Sequence, residues 1–156
     1  MKDIFETNSN KASTKITINS FMMGSLFFIL TLIWTLSPER FSIFIVAQIV
    51  LAIPMLFVSS LAYAKIGYWE KVELWDVLGW FTNNLGSIFI LNAVGLMTAQ
   101  LYKIVAISYF LLLILLMAVY SAINVIYRKK TLKEKIFKFA FFVAVLFFGG
   151  ILPLFF

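Results

Sequence analysis

The most constraining feature of the sequence is a series of apolar runs, each long enough to cross a lipid bilayer. About 20 mainly apolar residues in a helix cross roughly 30 Å of hydrocarbon. Five segments meet this requirement, and charged residues or tight turns separate each segment from the next. They are residues 16–36, 41–64, 77–101, 104–127 and 136–156. The sequence therefore predicts an all-α integral membrane protein, a bundle of five transmembrane helices.

Composition supports this prediction and excludes the main soluble classes. The chain is 63% hydrophobic and only 13% charged, whereas soluble domains average about 45–50% apolar and about 25% charged residues. Because a soluble domain of this length still exposes roughly 30% of its surface, no soluble core could hide so much apolar area. We therefore expect a cytoplasmic tail, residues 1–15, and a single transmembrane helical domain, residues 16–156, in contact with the lipid bilayer. A nucleic-acid partner is not expected.

The fifth segment is the least typical of the spans. It contains Lys138 near its start, Gly149 and Gly150 near its end, and Pro153 shortly after them. A lysine near a helix end extends its amine to the interface, so this composition still allows a span. A hairpin that re-enters the membrane and returns is the alternative. The segment is rich in phenylalanine, and Ala140 and Ala144 form a small-xxx-small pair within it.

The basic residues predict the orientation of the chain. With five spans, the N-terminus and the loops at 65–76 and 128–135 lie on one side of the membrane. Eleven of the thirteen Lys and Arg residues fall on that side, and two, Arg40 and Lys103, fall on the other. Short loops rich in Lys and Arg stay in the cytoplasm. We therefore expect a cytoplasmic N-terminus and an outside C-terminus, in a multi-pass protein of the bacterial cytoplasmic membrane.

A basic cluster follows the fourth span. Juxtamembrane Lys and Arg residues attract anionic lipids by about 1 kcal/mol each, so anionic headgroups at the cytoplasmic face are one expected partner. The alternative is a determinant of topology with no further role. The cluster consists of Arg128, Lys129, Lys130, Lys133 and Lys135.

Amides, hydroxyls and glycines recur on one side of several spans. An unpaired amide in lipid costs several kcal/mol, so we expect these sides to contact other protein. One interpretation is helix packing, in which small residues and interhelical hydrogen bonds join the helices. The other is a polar path for a neutral or weakly hydrated solute, with Pro54 as a hinge in the second span. The candidate polar residues are Gln48, Asn84, Ser87, Asn92, Thr98, Ser121 and Asn124. Other residues aligned with these are Ala52, Ser59 and Ala62 in the second span, and Thr17, Ser20, Gly24, Thr31 and Thr35 in the first.

Short motifs predict where three of the helices begin. Ser37-Pro38-Glu39 is typical of an N-cap and first turn, here of the second helix. Thr131 and Glu134 have the spacing of a capping box at the start of the fifth. Asp76 either caps the third helix or binds a cation at a cytoplasmic mouth. The stretch before Asp76 either forms an interfacial helix or extends the third span.

The residue inventory excludes most catalytic chemistry. The chain contains no Cys and no His, which excludes disulfides, thiol nucleophiles, histidine bases and the commonest metal ligands. No Asp or Glu lies within a predicted span, and such acids are the usual sign of proton relays and intramembrane catalysis. We therefore expect no catalytic residues, no metal and no cofactor.

Three functional hypotheses remain. The first is a non-catalytic accessory or assembly subunit that acts through contacts with other membrane helices, with the phenylalanine-rich fifth span as the partner surface. The alternative is a homo-oligomeric channel or facilitator lined by Gln48, Asn84 and Asn92. The third is a membrane enzyme working at the interface through Asp76 and its acidic neighbours, Glu70 and Glu73.

Overall fold

The computed structural model describes residues 9–36, 38–66, 73–128 and 132–155, and these residues are helical apart from short connections. A 3₁₀ turn, Pro38–Arg40, lies between the first two α-helices. After the fifth, the chain continues as a π-helical segment, Phe147–Ile151, and a 3₁₀ segment, Leu152–Phe155. The described residues contain no strand. The α-helices are α1 (Ser9–Leu36), α2 (Ile43–Ile66), α3 (Glu73–Leu101), α4 (Lys103–Arg128) and α5 (Leu132–Leu146).

Five helical segments within these ranges are long and apolar enough to cross a membrane. This confirms the predicted all-helical class with five helices of spanning length. The last segment is helical without interruption from Leu132 to Phe155, as expected for a span and not for a re-entrant hairpin. The segments are Asn10–Thr35, Ile43–Ile66, Glu73–Leu101, Lys103–Ile126 and Lys135–Phe155.

The start of α2 differs from the prediction. The Pro38 motif forms a separate 3₁₀ turn that ends at Arg40, and α2 begins only at Ile43. Ser42 is the residue that caps α2, because its Oγ accepts a hydrogen bond from the Phe44 N–H at 3.3 Å. The Ser42 carbonyl also accepts from the N–H groups of the next two residues beyond Phe44. The prediction that the second helix opens at Pro38 was therefore wrong in position, since Ser42 lies directly before the apolar run and satisfies the first amides there. The predicted cap itself, Ser37, lies outside the described residues.

Two helices extend beyond their apolar runs. Helix α1 begins at Ser9, and α3 begins at Glu73. Asp76 therefore lies inside the first turn of α3 instead of preceding it, and the third span extends beyond its apolar run. Acids in the first turn interact favourably with the positive end of the helix dipole. Helix α5 begins at Leu132, but Thr131 of the predicted capping box lies outside the described residues.

The chain divides into two compact units, one ending at Ile90 and the other beginning at Leu91, so that α3 contributes to both. In the first unit α1 packs against α2. The buried residues recur every seven positions, as in coiled coils, where this spacing keeps one side of each helix against its neighbour. On α1 they are Ala12, Asn19, Leu26 and Ile33, and on α2 they are Ile45, Ala52 and Ser59 together with Ile49, Leu56 and Tyr63.

The buried residues of α5 form a stripe that the sequence analysis did not find. Ala140 and Ala144, the predicted small-residue pair, are both exposed. The buried residues of this stripe are four positions apart. In an α-helix of 3.6 residues per turn, residues at this spacing shift progressively around the helix axis. The wider turn of a π segment reduces this angular shift. The stripe consists of Phe142, Leu146, Gly150 and Leu154.

Candidate functional site

Asn92 is the predicted polar residue that joins two helices. It lies on α3 with 0% of its surface exposed. Its Nδ2 donates a hydrogen bond to the carbonyl of Val145 on α5 at 3.3 Å. Its Oδ1 is buried and has no hydrogen-bond partner among the described residues. Asn92 therefore links α3 to α5, as helix packing predicts.

The Asn92 contact lies next to the π-helical segment. The N–H of Leu152 reaches back to the carbonyl of Phe147, a five-residue hydrogen bond that widens the turn. Gly150 in this segment approaches Asn92 so closely that a Cβ atom there would lie 2.5 Å from the Asn92 Oδ1 and 2.6 Å from the Phe110 ring. A glycine is therefore required for the chain to pass this close to α3 and α4.

Tyr109 makes a second polar link in the same unit. Its hydroxyl donates to the carbonyl of Leu91 at 3.2 Å, so α4 is hydrogen-bonded to α3 one residue before Asn92. The adjacent Phe110 is 1% exposed, and the rings of Tyr109 and Phe110 meet edge to face with their centroids 5.4 Å apart. These contacts place an aromatic pair beside the Asn92 amide.

Three other predicted polar residues bond to their own helices. Asn84 donates to the Trp80 carbonyl at 2.6 Å, Thr98 to the Val94 carbonyl at 2.8 Å, and Asn124 to the Tyr120 carbonyl at 2.9 Å. Each of these bonds spans four residues of one helix. Such bonds satisfy the side chain locally and do not join it to another helix.

The remaining predicted residues do not converge on one site. Gln48 and Ser87 are half-buried and belong to the first unit, whereas Ser121 belongs to the second and lines a groove between α4 and α5. Pro54 is exposed, and α2 continues through it as one helix. Of the basic cluster, Lys133 and Lys135 lie on α5, while Lys129 and Lys130 lie outside the described residues.

A buried polar cluster in the first unit connects three helices. Asn19 of α1 donates through Nδ2 to Ser59 Oγ of α2 at 3.1 Å. The Ser59 hydroxyl in turn donates to the Gly79 carbonyl of α3 at 3.0 Å. Asn19 and Ser59 are 1% and 0% exposed. This chain of hydrogen bonds fixes the three helices at one level along their lengths.

One helical turn from Asn19 and Ser59, the same buried cluster contains charged groups. Lys15 of α1 donates through Nζ to the Tyr63 hydroxyl at 2.7 Å, and the same Nζ lies 4.3 Å from the centre of the Tyr63 ring. Asp76 of α3 is 4% exposed, and its carboxyl group lies within electrostatic range of Lys15 and Tyr63. A buried charge is tolerated only beside an opposite charge and hydrogen-bonding groups. We name Lys15, Asn19, Ser59, Tyr63 and Asp76 the polar cluster.

The polar cluster has the chemistry of a structural network. Its lysine, serine and amide donors bond to acceptors within the chain, the Tyr63 hydroxyl accepts from Lys15, and Gly79 lies against the Tyr63 ring. In the part of the chain that the structure describes, no group of three or more His, Cys, Asp or Glu side chains is placed to hold a metal ion. Of the two interpretations of Asp76, a buried acid in the first turn of α3 fits this geometry better than an open cation mouth does.

Comparisons with protein families, with curated proteins and with solved structures found no match for this chain.

One side of α1 faces away from the polar cluster and is exposed. Its hydroxyls donate to their own helix: Thr17 to the Ser13 carbonyl at 3.1 Å and Ser20 to the Ile16 carbonyl at 2.9 Å. Apart from the adjacent residues and the backbone of α1 itself, no atom of the described residues approaches within 4 Å of the Cβ position of Gly24. The exposed small and polar residues are Thr17, Ser20, Gly24, Thr31 and Thr35. A groove of about 520 Å³ crosses this side, lined by Ser20, Phe21, Gly24, Ser25, Phe28 and Ile29.

Sequence reasoning missed Lys15, Asn19 and Tyr63. A lysine or a tyrosine near the end of a span predicts an interfacial residue, so neither suggested a buried contact. Asn19 carried a usable signal, because it falls on the seven-residue repeat of Ala12 and Leu26. An amide on an otherwise apolar stripe predicts a hydrogen bond to the facing helix.

Proposed function

We propose that this chain is a non-catalytic multi-pass membrane protein that acts through helix contacts, as an accessory or assembly subunit of a larger membrane system. The observation that carries the proposal is the exposed small-residue side of α1. Its opposite side already packs against α2, so the described part of the chain covers one side of α1 and leaves the other exposed. The occupant proposed for the other is a transmembrane helix of a partner subunit.

The chemistry of this side suits a helix better than lipid. Small residues allow two helix backbones to approach closely, and close approach provides the van der Waals contacts that join helices in a membrane. Ser20 and Gly24 have the small-xxx-small spacing of such contacts, and Phe21 and Phe28 border them with 78% and 65% of their surfaces exposed. The space above Gly24 is open. A partner helix lying there would contact the α1 backbone directly.

Hydrogen bonding favours packing over a solute path. Asn92 donates to the Val145 carbonyl and Asn84 to the Trp80 carbonyl, so two residues of the hypothetical channel lining already have backbone acceptors. The hypothesis of an interfacial enzyme would rely on Asp76, which lies buried beside Lys15 and Tyr63. Both hypotheses therefore receive less support than helix contact does.

The location and orientation are part of the same proposal. We place the chain in a bacterial cytoplasmic membrane with its N-terminus inside, because eleven of thirteen basic residues fall on one side of the five spans. Anionic lipid headgroups at that side are a second class of partner.

Site-specific photo-crosslinking in cells tests the proposed partner surface. A crosslinking amino acid at Phe21 or Phe28 is expected to give a discrete adduct with a different membrane protein, and the same amino acid at Leu111, exposed on α4, is not. Adding Gly24→Leu should reduce the adduct at least tenfold, because the larger side chain fills the contact. Adducts with a second copy of this chain would overturn the proposal in favour of a homo-oligomer. Adducts with lipid alone would also overturn it.

A further inference from the structure

A second groove lies between α4 and α5, within the second unit. It has a volume of about 400 Å³ and is open to the surroundings. Helix α4 contributes mainly small residues to its floor, and α5 contributes larger apolar residues and one lysine. The lining residues on α4 are Ala118, Ser121, Ala122, Val125 and Ile126, and those on α5 are Leu132, Lys135, Ile136 and Phe139.

The groove is polar at one end and apolar along its length. Residues 118–126 extend for about 12 Å at the helical rise of 1.5 Å per residue. Lys135 lines the groove close to the connection between α4 and α5, whereas Phe139 lines it one turn deeper. An apolar chain with a negatively charged group at one end fits this lining.

The surrounding charge selects the same kind of occupant. Lys133 is exposed between two lining residues, Leu132 and Lys135, and residues 128–135 contain five basic residues and one acid, Glu134. Each Lys or Arg near a membrane surface adds about 1 kcal/mol to the attraction of anionic lipid. An uncharged helix would fit the apolar walls but would gain no attraction from the basic residues of this segment.

We propose that the groove between α4 and α5 binds one anionic phospholipid, with its phosphate at Lys135 and an acyl chain along Ala118, Ala122 and Val125. The inference rests on the proposed membrane location of the chain, and it goes beyond a general attraction between the basic cluster and the bilayer surface. The bound lipid would fill a space between two helices and so become part of the second unit.

Native mass spectrometry of the purified full-length protein tests this site. The protein is released from detergent after incubation with an equal mixture of phosphatidylglycerol and phosphatidylcholine, and the bound lipids are counted. One phosphatidylglycerol is expected to remain in preference to phosphatidylcholine. Lys135→Gln should lower that preference about fivefold. Ala122→Leu should lower the retention of both lipids at least threefold, because the larger side chain occupies the path of the acyl chain.

Two control variants distinguish binding in this groove from attraction to surface charge and from binding in the groove on α1. Lys65→Gln removes an exposed basic residue at the end of α2, and Ser20→Leu fills the groove on α1; neither should change lipid retention. An equal fall in preference for Lys65→Gln and Lys135→Gln would overturn the proposal, because it would indicate general surface charge. Unchanged retention in Ala122→Leu would also overturn it. Neither of these lipid-binding results depends on the crosslinks at α1. The lipid site and the partner surface on α1 can therefore be refuted separately.

Discussion

Asn19 and Asn92 show at the residue scale how this chain uses amides inside apolar helices. Each side chain is almost fully buried and donates through Nδ2 to an acceptor on a neighbouring helix. Interhelical hydrogen bonds in membranes average only about 0.6 kcal/mol, so their main effect is not stability. A buried amide with a single acceptor can form its hydrogen bond in only one register of the two helices. A neighbouring helix shifted by one turn would lose that bond, as with the buried asparagine that fixes the register of a coiled coil.

The polar cluster gives a residue-scale prediction at Gly79. A Cβ atom there would lie 2.9 Å from Cε1 of Tyr63, and the Tyr63 ring is buried and hydrogen-bonded by Lys15. Because the ring has no free space to move, we expect Gly79→Ala to lower the free energy of unfolding by about 1–3 kcal/mol. Unfolding in mild detergent, followed by circular dichroism, measures this change.

Gly24→Ala is the matched control for Gly79. The same methyl group meets no atom within 4 Å there, and alanine in a helix interior is favoured over glycine by about 1 kcal/mol. The two substitutions should therefore have opposite signs. Equal stabilisation by both would show that Tyr63 does not press against Gly79.

At the element scale, α5 differs most from a regular helix. Its buried stripe continues through the π segment because Gly150 lets the chain approach Asn92 and Phe110. The carbonyl that Asn92 uses, that of Val145, lies two residues before the segment. π segments occur often at functional positions; here the segment brings the last helix against two buried side chains.

Gly150→Ala tests this description of α5. A methyl group would collide with the Asn92 Oδ1 and with the Phe110 ring, so we expect a loss of about 1–3 kcal/mol. Faster hydrogen exchange should appear in residues 147–155. Ala144→Leu adds bulk to an exposed position of the same helix and should leave exchange unchanged. Exchange that is equally slow in wild type and in Gly150→Ala would contradict the close approach.

The elements were predictable to different degrees, for physical reasons. The five helices of spanning length follow from the length of the apolar runs, because a helix of about 20 residues pairs all its backbone groups within itself. The start of α2 differs from the prediction because two serines are candidate caps in the sequence, and the hydrogen bond that identifies Ser42 as the cap of α2 exists only in the folded chain. The π segment and the contacts of Lys15 with Tyr63 depend on neighbouring helices, so no local sequence pattern predicts them. For the candidate sites, the sequence indicated Asn92 but not its acceptor.

At the scale of the whole molecule, the asymmetry of basic residues makes orientation directly testable. The chain contains no cysteine, so single introduced cysteines can be labelled without background. We expect a membrane-impermeant maleimide to label Tyr102→Cys in intact cells, because Tyr102 is exposed between α3 and α4. Lys65→Cys should react only after permeabilisation. The reverse pattern would contradict the proposed orientation and would place the basic loops outside.

The link from Asn92 to Val145 also sets an order of events during synthesis. Its two partners are 53 residues apart in the chain, and ribosomes add about 5–20 residues per second. In a chain inserted as it is made, Asn92 therefore waits for its acceptor for about 3–10 s after it leaves the ribosome. The second unit closes only when α5 arrives. Until then the Asn92 amide is a polar group that insertion machinery or a chaperone can recognise, which makes the period before release of the chain its most vulnerable stage.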